Sequence, residues 1–132
     1  MRTFDLEIVT PDGSAFSGPA EKLIVRTTEG DVEILAGHVD YLAKLATGKA
    51  QVTVSGVTKS AAVSGGFISV SGGNVRLVAT TFEYAENIDL KRAQLAQHRA
   101  EEQLRNAKDE QDENLARARL SRALTRVTVA KK

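Results

Sequence analysis

The chain has 132 residues, with no cysteine, no tryptophan, two prolines and one methionine. Without cysteine it can form neither a disulfide nor a thiolate metal site. Aromatic residues make up only 5%, so we expect the core implied by a hydrophobic content of 42% to consist mainly of Val, Ile, Leu and Ala. No apolar run approaches the ~20 residues that a membrane-spanning helix needs. Any membrane association is therefore expected to be indirect.

Glycine and proline are also missing from the last part of the chain, since all of them lie at or before Gly73. Up to that point, short segments of alternating polarity separated by turn residues predict strands. From Ile88 onward, good helix formers with apolar residues three and four apart predict two helices around a polar turn. We therefore predict an α+β fold, with an N-terminal antiparallel β-sandwich (flattened barrel) over residues 1–84 and a C-terminal α-helical hairpin over residues 85–132.

The predicted strands are short and closely spaced, which favours two packed sheets or a flattened barrel. The two helices are predicted to meet along stripes composed mostly of alanine. Small residues allow close approach but bury little apolar area, so we expect the hairpin alone to be only marginally stable. The strands are predicted at residues 4–8, 22–27, 32–35, 49–55, 57–63, 67–70 and 75–81, and the stripes at Leu90, Ala93, Ala100, Leu104 and Ala107 and at Ala116, Leu120, Ala123 and Val127.

The formal net charge of +1 conceals an uneven distribution. Residues 1–87 are net acidic, whereas residues 88–132 are net basic, and no acidic residue follows Glu113. A basic end of this kind favours an acidic partner or an anionic ligand.

The segment Ile88-Asp89-Leu90-Lys91-Arg92-Ala93 lies where the helical pattern begins. Asp89 is placed to cap the free N–H groups of the helix, and Arg92 shares its face. A capped helix start beside a guanidinium suits a phosphate, but the same pair also fits a plain N-cap with an ion pair. Arg122 and Arg126, four residues apart, fit either phosphate contact or a solvated basic face.

No other residue set indicates catalysis or metal binding. His38 has no neighbouring His or carboxylate pair, His98 is expected to be exposed in the middle of a helix, and the paired glycines lack the GxxxxGK[ST] pattern of a phosphate loop. A small enzyme that uses ATP would need a Walker-type lysine and a positioned base. A nucleic-acid binder would need aromatic platforms beside its arginines. Neither is present, so no catalytic residue, no metal and no nucleic-acid partner is predicted.

Four segments, in order along the chain, resemble the epsilon subunit of F-type ATP synthases. The third carries an S-G-G-F strand, and the fourth ends in the I-D-x-x-R-A motif at residues 88–93. Ala36 and Asp40 stand where the family usually has proline, and Thr80 stands where Asp is common. The four segments are residues 9–13, 29–38, 63–70 and 83–93.

This resemblance implies a non-catalytic central-stalk (rotor) subunit that couples ion flow to ATP synthesis. Its sandwich would contact the gamma subunit and the c-ring. Its hairpin would move between a compact form and an extended form, which reaches the alpha/beta catalytic head and inhibits ATP hydrolysis. The implied location is peripheral, on the cytoplasmic side of the bacterial cell membrane, with contact to the membrane only through the complex.

Some bacterial members of the family bind ATP in the compact form, which implies ATP as a regulatory ligand here. The alternative is the same coupling subunit with no ATP binding of its own. By matching motif positions, the resemblance implies ATP contacts at Glu83, Ile88, Asp89, Arg92, Ala93, Arg99, Arg122 and Arg126.

Overall fold

The computed structural model describes residues 2–131, and the chain divides into two compact units between Tyr84 and Ala85. Within the described range, the first unit contains ten strands and the second a short 3₁₀ helix (Ala85–Asn87) and two α-helices. The strands are β1 (Phe4–Thr10), β2 (Gly13–Ala20), β3 (Lys22–Thr27), β4 (Gly30–Leu35), β5 (Tyr41–Lys44), β6 (Gly48–Val54), β7 (Val57–Ser64), β8 (Phe67–Ser71), β9 (Asn74–Val78) and β10 (Thr81–Tyr84), and the helices are α1 (Leu90–Arg105) and α2 (Glu110–Ala130).

The ten strands form two five-stranded sheets, in the orders β2-β1-β9-β8-β5 and β10-β7-β6-β3-β4. Alternate side chains of both sheets point into one apolar core, as the period of two predicts. The predicted sandwich followed by two helices is confirmed. The fully buried large side chains of this core are Leu6, Ile8, Ile68 and Leu77 from the first sheet and Leu23, Val25 and Ile34 from the second.

One pairing in the described part of the chain departs from the antiparallel pattern. Strands β1 and β9 run parallel, with Leu6 opposite Val75 and Ile8 opposite Leu77. The other pairings between these strands are antiparallel.

The single strand predicted at residues 75–81 is instead two strands that belong to different sheets. The Ala79 N–H donates to the Val9 carbonyl oxygen (2.9 Å), whereas the Thr80 N–H donates to the Ser64 carbonyl oxygen (3.0 Å). Successive backbone groups thus bond to different sheets, and the chain crosses between them at this point. Strands β2 and β5 were also not predicted, because neither has a clear apolar alternation.

Tight glycine turns join the strands, as expected. Gly72 and Gly73 both have positive φ and form the two-residue turn between β8 and β9. The Gly72 N–H donates to Asp40 Oδ1 (3.1 Å). Gly66 also has positive φ, and a Cβ there would collide with the Val78 carbonyl oxygen. Only glycine fits this close approach without a shift of the backbone.

In the second unit, each α-helix begins at an aspartate. Asp109 Oδ1 accepts from the Asp112 N–H (2.8 Å) and so caps α2, while Asp89 caps α1. A hydrogen bond from Arg119 Nη1 to Gln103 Oε1 (3.1 Å) joins the two helices. Among residues 2–131, no helix has the length and apolar character needed to span a membrane. The predicted alanine stripes are buried at Ala93, Ala100, Ala116 and Ala123.

Candidate functional site

The side chain of Asp89 caps the start of α1. Asp89 has extended backbone angles (φ −80°, ψ 105°), and its Oδ1 accepts from the Arg92 N–H at 3.1 Å. The preceding Ile88 is buried and donates its N–H to the Ala85 carbonyl oxygen (3.2 Å). Within the described residues, no ion pair joins the Asp89 and Arg92 side chains. The N-cap part of the sequence interpretation is therefore confirmed, and the ion pair is not found.

A groove of about 270 Å³ lies between α1 and α2 and is strongly basic. Three of the predicted ligand residues, Arg99, Arg122 and Arg126, line it together. Arg119 and Gln103 line it as well, and the remaining lining residues are alanines. No aspartate or glutamate is among these lining residues, so four guanidinium groups border one small space without a carboxylate. Such an arrangement attracts an anion with several negative charges.

Helical periodicity explains why these side chains share the groove. At about 100° per residue, positions 119, 122 and 126 of α2 fall within an arc of about 60°. Positions 96, 99 and 103 of α1 do the same. Arg92 lies one turn before Ala96 and therefore belongs to the same stripe of α1.

The remaining predicted residues occupy different surroundings. Arg92 is exposed, whereas Ala93 is fully buried. Glu83 belongs to the first unit, on β10, where it is opposite Ala62 of β7. The structure thus brings three predicted arginines into one groove and places Ile88, Asp89, Arg92 and Ala93 at the start of α1.

Arg119 was not singled out as a ligand from the sequence, although its spacing to Arg122 and Arg126 would have indicated the shared face. Arg117, two residues earlier, points elsewhere on α2. Its Nη2 lies 2.6 Å from Glu113 Oε1, and the ion pair neutralises its charge.

A second cavity of about 490 Å³ shares Arg99, Gln103 and Arg119 with the groove. Its lining also includes Glu102 and Asp112, so its charges are mixed. A polyanion is therefore expected to prefer the groove over this cavity.

The histidines and carboxylates do not form a further site in the described part of the chain. No cluster of three or more His, Asp or Glu residues between residues 2 and 131 could hold a metal ion. His38 Nδ1 lies 2.7 Å from the Val39 carbonyl oxygen. The His38 ring packs edge-to-face against the Tyr41 ring, as expected for a structural histidine. His98 is exposed on α1, with Nδ1 3.5 Å from Glu101 Oε1.

Known families match both units. The model of the ATP synthase delta/epsilon chain beta-sandwich domain matches residues 3–85, and that of the delta/epsilon chain long alpha-helix domain matches residues 86–131. The chain belongs to the ATP synthase delta/epsilon family. The ATP synthase epsilon chain of Bacillus pumilus is 42% identical over 132 residues and is covered completely, as is this chain. The epsilon chain of Shouchella clausii is 40% identical over 131 residues, covering 99% of this chain and 97% of the relative.

Solved structures share the same fold. A chain in the Euglena gracilis mitochondrial ATP synthase superposes with a TM-score of 0.85 at 24% identity, covering 98% of this chain and 82% of that chain. The predicted resemblance to ATP synthase epsilon subunits is confirmed by the bacterial relatives. As an epsilon-family chain it is a subunit of the synthase rather than a catalytic chain, and the small ATP-using enzyme considered from the sequence is excluded.

Proposed function

We propose that this epsilon-family chain is a central-stalk subunit of a bacterial F-type ATP synthase and that its helical hairpin binds ATP as a regulatory ligand. About 40% identity to bacterial epsilon chains over the full length supports the first part. The groove bordered by four arginines and no carboxylate carries the second part.

In the proposed role, the sandwich contacts the gamma subunit and the c-ring and helps to couple ion flow to ATP synthesis. Large apolar side chains on its surface support a docking function. Val39 and Leu42 are 74% and 72% exposed, and Leu35 and Phe67 are also exposed. Exposed apolar residues of this size are typical of partner-binding surfaces when they occur together. Through these partners the chain is held at the cytoplasmic side of the cell membrane without entering it.

The proposed ATP site places the phosphates against Arg99, Arg122 and Arg126, with Arg92 one turn nearer the start of α1. A guanidinium can donate two parallel hydrogen bonds to a phosphate, which gives both strength and orientation. Asp89 holds the first turn of α1 in place through its cap. Contacts at Ile88, Ala93 and Glu83 follow from the family resemblance and stay predictions.

Such a site would act on the hairpin by mass action. The hairpin is proposed to inhibit ATP hydrolysis when it extends toward the alpha/beta catalytic head. A ligand that binds only the compact form, at ~100 times its dissociation constant, stabilises that form by ~2.7 kcal/mol. This shifts a balanced equilibrium by about two decades in favour of the compact form. Because the buried alanine stripes of the hairpin bury little apolar area, packing is expected to stabilise the compact form only weakly, so that a shift of this size matters.

Calorimetric titration of the full isolated chain with ATP tests the site. We expect saturable binding at one site, and we expect Arg122→Ala to weaken it by about tenfold or more, because a charged hydrogen-bond donor is lost. Arg117→Ala is the matched control, since it removes an exposed arginine of the same helix that does not line the groove.

No binding by the native chain would favour the alternative, the same coupling subunit without an ATP site. Binding that Arg122→Ala leaves unchanged would place ATP outside the groove.

A further inference from the structure

Arg119 is the groove arginine that is not among the ATP contacts implied by the family resemblance. It lies on α2 one turn before Arg122 and borders both the groove and the adjoining cavity. The side chain is exposed and donates a hydrogen bond to the amide oxygen of Gln103 across the groove. Among the arginines of α2, it is the one that lines both spaces, and its amide partner distinguishes it from Arg117.

A comparison with Arg117 shows what this partner means. Arg117 faces the carboxylate of Glu113, which neutralises its charge and holds the guanidinium in an ion pair. Arg119 faces a neutral amide, so its positive charge is not compensated by the contact. Among residues 2–131, no ion pair involves Arg119. A hydrogen bond from a guanidinium to a neutral amide lacks the charge–charge attraction of an ion pair, and at an exposed position water can replace either partner.

We propose that Arg119 is a fourth phosphate-binding residue of the ATP site and that Gln103 holds its guanidinium across the groove while the ligand is absent. The proposal rests on the proposed ATP function and extends it to a residue that the family resemblance does not identify. A phosphate oxygen carries negative charge and accepts charge-assisted hydrogen bonds, so Arg119 exchanges a weak partner for a stronger one on binding. Gln103 is then a competitor for Arg119 and not a ligand.

This assignment predicts opposite effects for the two members of the hydrogen bond. Arg119→Ala removes a phosphate contact and weakens ATP binding about tenfold or more. Gln103→Ala removes the competitor and tightens ATP binding about two- to threefold. If the bond served only to hold α1 against α2, both substitutions would loosen the hairpin and weaken binding alike.

The test is calorimetry of the full chain and its variants with ATP and, separately, with inorganic triphosphate. Arg119→Ala is expected to lose the same factor toward both probes, because the contact is to phosphate. Arg119→Lys keeps the charge but loses the planar guanidinium that can donate two parallel hydrogen bonds. Its affinity is expected to fall between that of the native chain and that of Arg119→Ala. Arg117→Ala is expected to bind like the native chain. Helix content measured by circular dichroism checks that each variant keeps its hairpin.

Three results would overturn the assignment. They are an unchanged affinity in Arg119→Ala, an equal weakening by Gln103→Ala and Arg119→Ala, and a loss in Arg119→Ala toward ATP but not toward triphosphate. In each case the native chain still binds ATP, and the proposed function stands. Absence of ATP binding in the native chain would overturn both together.

Discussion

Replacement of Gly66 by alanine is expected to destabilise the sandwich through a backbone collision. Gly66 has φ +94°, and a Cβ there would collide with the carbonyl oxygen of Val78, where β9 ends. Gly56 is a matched control, because it also has positive φ (+79°) but has no atom within 4 Å of its added Cβ. The two substitutions therefore share the conformational cost and differ in the steric cost.

The magnitudes follow from these two terms. A left-handed conformation costs a residue with a Cβ ~1–2 kcal/mol, partly offset by ~0.4–1 kcal/mol from the less flexible unfolded chain. Gly56→Ala should thus lower the free energy of unfolding by at most ~1.6 kcal/mol. Gly66→Ala adds about 1–3 kcal/mol for displacing packed backbone. A unit of this size has a total stability of roughly 4–12 kcal/mol, so the loss would be a substantial fraction of it.

Urea unfolding followed by tyrosine fluorescence measures this loss. Both tyrosines of the chain, Tyr41 on β5 and Tyr84 on β10, belong to the sandwich, so the signal reports on that unit. With an m-value of about 1 kcal/mol per M urea, the midpoint of Gly66→Ala should lie at least ~1 M below that of Gly56→Ala. Equal midpoints would refute the collision and leave only the conformational cost.

Two further predictions concern charged side chains. Asp109→Ala should lower the thermal stability of the helical unit, followed by circular dichroism, by about 1 kcal/mol, because the cap on the Asp112 N–H is lost. Asp109→Asn keeps an acceptor, and equal losses in both variants would rule out the cap as the cause. In the sandwich, the hydrogen bond from Arg26 and, to a smaller extent, its charge lower the pKa of Asp31. A lowered pKa stabilises the fold above the unfolded value of ~3.9 and loses that effect as the pH falls through the folded value. Asp31→Asn should therefore unfold with a smaller drop in urea midpoint between about pH 5 and about pH 2. The difference should stay under ~1 kcal/mol because both side chains are more than one-third exposed, and an identical pH profile would contradict it.

The local patterns of the sandwich were readable from the sequence, but its long-range pairings were not. Phe4, Leu6 and Ile8 alternate with polar residues, and all three are buried as that alternation predicts. The parallel pairing of β1 with β9 joins segments almost seventy residues apart, and no local pattern encodes it. The break at Ala79 and Thr80 is equally hidden, since hydrogen bonds to two different sheets, rather than the residue types, separate β9 from β10.

The candidate site shows the same division. The cap at Asp89 could be predicted because it depends only on residues next to it in the chain. The groove depends on the register of α1 against α2, which sets Arg119 opposite Gln103. Helical periodicity could place Arg119, Arg122 and Arg126 on one face of α2. Only the packing of α1 against α2 shows that α1 contributes Arg99, and no carboxylate, to the lining of the groove.

The basic groove and the alanine seam are complementary features of the proposed regulatory hairpin. The seam, with Ala93, Ala100, Ala116 and Ala123 buried, contributes little apolar stabilisation. Arg99, Arg119 and Arg122 carry like charges on the two facing helices, and at physiological ionic strength the screening length of ~8 Å is too long to remove repulsion between like charges within a groove this small. An anion with several phosphates can contact more than one guanidinium. The electrostatic energy of the groove then becomes favourable, because attraction to the anion replaces repulsion between like charges. In the proposed function, the closed hairpin would therefore depend on its ligand more than a hairpin with leucine-rich packing would, which is the property that a ligand-controlled inhibitor requires.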